Sequence, residues 1–202
     1  MIPARGVHRA PQPVTLHDRA MDNLRFIRET MERSASFTAV SGWAGVAIGV
    51  VATGAAWLAR GRSEPTWMAI WMGTAAISFA IAVVGMVIKS HAAGMPLVSG
   101  PGRKFASSFS PPILVGGLLT VALYLSGQTA LLPGTWLLLY GTAVTTGGAH
   151  SVRIIPLTGS AFIVLGAAAL FAPAAWGDAF MAAGFGGLHV LFGFLIVRRH
   201  GG

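Results

Sequence analysis

The chain has 202 residues, of which 54% are hydrophobic and 10% charged, with 27 glycines, no cysteine and a formal net charge of +8. Such a balance excludes an ordinary water-soluble domain, and the lack of cysteine excludes a disulfide framework and thiolate chemistry. The positive charge is spread along the chain where anionic lipid headgroups account for it, so no nucleic-acid partner is implied.

In chain order, residues 1–17 read as a mobile leader rich in proline and arginine. Over 18–36 the sequence predicts a short amphipathic juxtamembrane helix: Met21, Leu24, Ile27 and Met31 recur at helical spacing, Thr15 to Asp18 offers a capping signal, and Glu29 sits four residues before Arg33. That helix is read as a lead-in lying on the membrane or covering the bundle. Docking of a cytoplasmic partner or second subunit is the alternative. Six arginines and no long apolar run precede Thr38, so no secretory signal is expected and the first span is the anchor.

Residues 37–202 predict a six-helix transmembrane bundle, an all-α polytopic fold. Uncharged runs cover Thr38 to Ala59, Thr66 to Ile88 and Ile154 to Trp176, and Ala179 to Val197 carries only His189. Each suits a hydrocarbon layer of about 30 Å, crossed by roughly 20 helical residues. Between Lys104 and Arg153 lies a longer uncharged stretch, divided here into spans from Pro111 to about Leu125 and from Gly134 to about Ala149. Proline is tolerated in a first helical turn, which places Pro111, Pro112 and Pro133 at those starts. A re-entrant pair is the alternative.

Basic residues orient the bundle. With both termini cytoplasmic, twelve of the fourteen Lys and Arg residues face the cytoplasm, leaving Arg60 and Arg62 outside. Tryptophan agrees independently, since Trp57, Trp67, Trp71, Trp136 and Trp176 fall near the outer helix ends, with only Trp43 toward the inner side. The expected location is the cell's inner (plasma) membrane, and the expected partner is the lipid bilayer, with a homo-oligomer or a membrane or cytoplasmic protein left open.

No Asp, Glu, Lys or Arg lies inside a predicted span, which argues against proton-coupled pumping. Gly42, Gly45 and Gly49 form one small-residue face and Gly186 and Gly193 another, read chiefly as helix packing within the bundle. Gly141, Thr145 and Gly148 share a third. His189 follows Gly186 and precedes Gly193 on a face that should turn inward, so its ring needs a polar partner. Thr145, Thr146 or Thr158 can supply one, and His189 with Thr145 and Thr146 forms the candidate intramembrane polar site. His91 and His150 should lie near the cytoplasmic surface, with no spacing that selects a metal or haem site.

No zinc, serine-nucleophile, Walker or dinucleotide motif occurs. Gly100-Pro-Gly-Arg-Lys104 only superficially resembles a phosphate loop. Neither a catalytic group nor a cofactor is expected. Arg28 to Ser34, Leu132 to Gly141, Ser151 to Arg153 and Gly184 to Gly193 together resemble a family of uncharacterised bacterial multi-pass membrane proteins without an established activity. The resemblance implies a membrane bundle and leaves function to three classes: a non-enzymatic membrane subunit or regulatory component, a small channel or carrier for neutral or apolar solutes, and a haem- or metal-binding membrane protein. The first is favoured.

Overall fold

A computed structural model describes residues 19, 21–27, 39–94, 98–149 and 151–200. Residues 19 and 21–27 are helical and exposed, and they form a unit separate from the one that begins at Ser36. The rest of the expected juxtamembrane helix and the leader at 1–17 lie outside the described residues.

The second unit is all-α. Its helices are α1 (Gly42–Ala59), α2 (Glu64–Ala92), α3 (Gly100–Leu125), α4 (Leu132–Gly148) and α5 (Ile154–Phe171), followed by a composite helix, α6, over Ala174–Arg199. Among the described residues five of these, all but α4, are long and apolar enough to cross a membrane. The 17-residue α4 is the shortest and lies between α3 and α5 in sequence.

Local chemistry sets the ends. The Ser41 side chain caps α1 by accepting from the Ala44 amide at 3.3 Å, and Ser99 caps α3 in the same way from Gly102 at 3.3 Å. Gly127, at φ +69°, closes α3 in the left-handed conformation that favours glycine.

Three predicted boundaries are corrected. The third helix begins at Gly100, not at Pro111, because Ser99 and Pro101 already provide a start and the later prolines are carried inside. Pro112 has no amide to give the Ser108 carbonyl, one turn back. The Thr146 hydroxyl of α4 reaches that oxygen at 2.9 Å, sharing its proton with the Thr142 carbonyl at 2.8 Å. The fifth helix stops at Phe171, short of Trp176, because Ala172 turns to extended backbone before Pro173. A 3-10 turn at Ala174–Trp176 then starts α6 earlier than the expected Ala179.

Two tight helix pairs make the core. In the first, α4 lies on α5: a Cβ on Gly141 would fall 2.7 Å from the Gly159 carbonyl, and one on Gly166 would fall 2.6 Å from the Leu138 amide. Gly134, Gly141 and Gly148 recur every seven residues, as do Gly159 and Gly166, which keeps one small-residue seam facing the partner helix. In the second, α1 lies on α6. A Cβ on Gly49 would meet the Gly186 carbonyl at 2.7 Å, and one on Gly193 would meet the Val46 amide at 2.7 Å. Gly42, Gly45, Gly49, Gly186 and Gly193 thus all pack within this chain.

Outside these pairs, α2 lies along α1 and α3 along α4, leaving only 6% and 0% of their apolar windows buried. Phe162, Leu132, Leu137 and Met181 are the largest fully buried side chains. Leu137 and Phe162 meet against Gly184 of α6, whereas Met181 packs with Ala52, Ala55 and Ala56 of α1 and Trp71 of α2.

Candidate functional site: a buried tyrosine–histidine pair

The polar centre begins with an irregularity in α6. After an α-helical turn at Gly177–Met181, residues Ala182–Leu188 form a π-helix, and α-helix resumes over His189–His200. A π segment is rare and widens the backbone ring by one residue. Gly184, Gly186 and Gly187 within it leave room for that widening: a Cβ on Gly186 would meet the Thr53 hydroxyl at 2.5 Å.

In a regular α-helix the amide of His189 would serve the carbonyl of Phe185, four residues back. Here that amide turns to Gly186. The His189 side chain reaches the Phe185 oxygen, with Nδ1 at 3.0 Å. A carbonyl can only accept, so Nδ1 carries the proton, and in the neutral ring Nε2 is the acceptor. The Tyr140 hydroxyl of α4 donates to Nε2 at 2.7 Å. Both ring nitrogens of the 9%-exposed His189 are thereby used.

Aromatic rings surround the pair. Phe162 of α5 packs edge-on at 4.9 Å from Tyr140 and 5.2 Å from His189. Phe185 lies 5.3 Å from Tyr140, and Phe109 of α3 meets the tyrosine edge-on at 6.4 Å. Four helices therefore converge on one hydrogen bond. From Phe185 the ring contacts continue to Trp71 at 6.3 Å, then to Trp67 at 6.1 Å, which stacks on Trp136 at 5.4 Å. Among the described residues the buried Trp71 Nε1 has no hydrogen-bond partner.

His189 points inward, but the threonines expected as its partners do not reach it. Thr146 is committed to the Ser108 and Thr142 carbonyls, and Thr158 bonds Ile154 of its own helix at 2.8 Å. Thr145 Oγ1 is buried against Gly159 on α5, with no partner among the described residues. The candidate trio of His189, Thr145 and Thr146 thus separates into three environments. The missed residue is Tyr140. Its signal was in the sequence, since Tyr140 is one of only two tyrosines and sits in the middle of an apolar run, where a hydroxyl demands a partner.

His91 is exposed, and His150 lies outside the described residues. Among the described residues no three His, Asp or Glu side chains converge to hold a metal ion. Chemically, the pair is a chain of two neutral hydrogen bonds, from Tyr140 to His189 and from His189 to a backbone oxygen. It locks α4 to α6 and fixes the imidazole tautomer.

In comparisons with known proteins, no family model, curated sequence or solved structure matches this chain.

Proposed function

We propose that the chain is a six-span integral membrane protein of the inner membrane, with both termini cytoplasmic, acting as a non-enzymatic membrane subunit or regulatory component. The distribution of basic residues and tryptophans supports the orientation. The sixth span in this reading is α4, supported by its glycine seam against α5 and its bond to α6. The amphipathic segment at 18–36 is the cytoplasmic lead-in.

The observation that carries the reading is the closure of the interior. The Tyr140–His189 bond is fully used, and fully buried Phe162 and Leu137 fill the space beside it. Interior polar groups spent on holding helices together are structural, whereas α2 and α3 offer long, almost unburied apolar faces. Those faces suit lipid or neighbouring membrane helices, the surroundings of a protein that works by association.

The test is gentle extraction of the full chain after in-membrane crosslinking, followed by identification of crosslinked chains. A reproducible crosslink from α2 or α3 to one membrane protein, or to a second copy, is the expected result. A monomer with no crosslink that instead accumulates a solute in vesicles would favour the carrier reading. An absorption band in the visible range would favour the haem reading.

A further inference from the structure

Beyond residue 37 the chain has only two acidic residues, Glu64 and Asp178, and the proposed topology puts only Arg60 and Arg62 among its basic residues on the same side. All four line a single cavity of about 850 Å³ between the end of α1, the start of α2, the Thr129–Leu131 turn and the start of α6. Groups so sparse in the chain converge on one place.

Opposite charges lining one cavity ordinarily pair. Here Asp178 Oδ1 accepts from the Trp67 indole at 2.7 Å, Glu64 Oε1 accepts from the Thr129 hydroxyl at 2.9 Å, and Arg62 Nε donates to the Leu58 carbonyl at 3.2 Å. Among the described residues no ion pair joins any of the four, and none of their side chains holds a further partner. A carboxylate accepts at both oxygens, so Asp178 Oδ2 and Glu64 Oε2 keep their capacity, as does the Arg60 guanidinium.

We propose that this cavity binds a zwitterionic phosphoester headgroup, with its ammonium received by Asp178 and Glu64 and its phosphate by Arg60 and Arg62. A metal ion would face two guanidiniums, and a polyanion would face two carboxylates. Only a ligand with both signs answers both sets. Arginine suits phosphate because its planar fork matches two oxygens at once. Ala56, Ala175 and Ala182 supply apolar wall for the connecting methylenes. Trp57, which lines the cavity, and Trp176 nearby are 77% and 59% exposed, as at the headgroup level of a bilayer. The site rests on the membrane reading.

Native mass spectrometry of the full chain in detergent tests it, with dihexanoyl phosphatidylethanolamine, dihexanoyl phosphatidylglycerol and free phosphoethanolamine as probes. The ethanolamine lipid should bind the parent at least about tenfold more tightly than the glycerol lipid, the value of a charge-assisted bond. Glu64→Gln with Asp178→Asn keeps an acceptor oxygen for Thr129 and Trp67 and should erase that preference. Arg60→Gln, at an exposed side chain, should weaken both lipids alike. Free phosphoethanolamine competing with the lipid would assign recognition to the headgroup; lipid binding without such competition would show that the acyl chains contribute, with the preference intact. Equal binding of the two lipids by the parent, or a preference that survives the double carboxamide variant, overturns the proposal. Loss of the membrane reading would look different: the chain would leave the membrane fraction and reporter fusions would fail to alternate. An inserted chain that ignores headgroup chemistry removes this site alone.

Discussion

Tyr140→Phe removes one oxygen and keeps the ring that packs 4.9 Å from Phe162 and 5.3 Å from Phe185. No cavity forms, so the measured loss belongs to the hydrogen bond and to the His189 Nε2 left buried without a donor. Stranding a buried group costs about 1–3 kcal/mol, but bonds between membrane helices average about 0.6 kcal/mol and reach about 1.7 kcal/mol. A loss of about 1 kcal/mol is therefore expected. His189→Leu strands the Tyr140 hydroxyl and also removes the side-chain donor to the Phe185 carbonyl, and should cost about twice as much. His189→Gln should fall between, because an amide still donates and accepts. Since the double variant Tyr140→Phe with His189→Leu leaves neither partner of the interhelix bond stranded, it should lose less than the sum of the two single losses. Reversible unfolding in mixed micelles provides all four free energies. Strict additivity, or a His189→Leu protein as stable as the parent, would refute the pairing.

At the α1–α6 seam, Gly49→Leu should destabilise more than Gly45→Leu, because the added carbon meets the Gly186 carbonyl at 2.7 Å in one case and the Gly193 Cα at 3.2 Å in the other. Val50→Leu, at a 62%-exposed position, should be neutral, and equal melting temperatures for the three proteins would defeat the seam. Thr146→Val leaves the Ser108 carbonyl without a donor beside Pro112; a loss of about 1 kcal/mol is expected, read by the same unfolding assay, and restoring that donor through Pro112→Ala in the same chain should recover part of it. For topology, reporter fusions after Gln128 and Pro173 should be periplasmic and fusions after Gly94 and Arg153 cytoplasmic; a cytoplasmic signal after Gln128 would remove the separate crossings of α3 and α4.

Hydropathy marked where the helices lie because an uncharged run of sufficient length is a property of the chain alone. It placed the ends poorly wherever proline was involved. Pro111 and Pro112 look like a start until Ser99 is seen to cap the helix earlier and Thr146 to serve the carbonyl that Pro112 leaves open. That repair comes from a neighbouring helix, so no local pattern announces it. The inward direction of His189 was legible from its glycine neighbours. Its partner was not, because the choice between Tyr140 and the threonines one to two turns away depends on how α4 and α6 are offset along their axes. The π segment adds a residue to the count and shifts that offset further. The charges lining the cavity between α1, α2 and α6 were legible as residues but not as a group, since Glu64 and Asp178 come from opposite ends of the bundle's sequence.

The two glycine seams differ in when each can form as the protein is made. The α4 and α5 surfaces are neighbours along the chain, joined by a short turn, so their halves are available to each other as soon as the second of them enters the bilayer. The first helix has to wait for the last. Until residues 186–197 arrive, the small-residue face of Gly42, Gly45 and Gly49 has no mate within the chain, and any membrane helix with a similar surface is a competitor for it. Ribosomes stalled before α6 should therefore yield a product that is inserted but adhesive, and release of the final segment is the event that closes the molecule on itself.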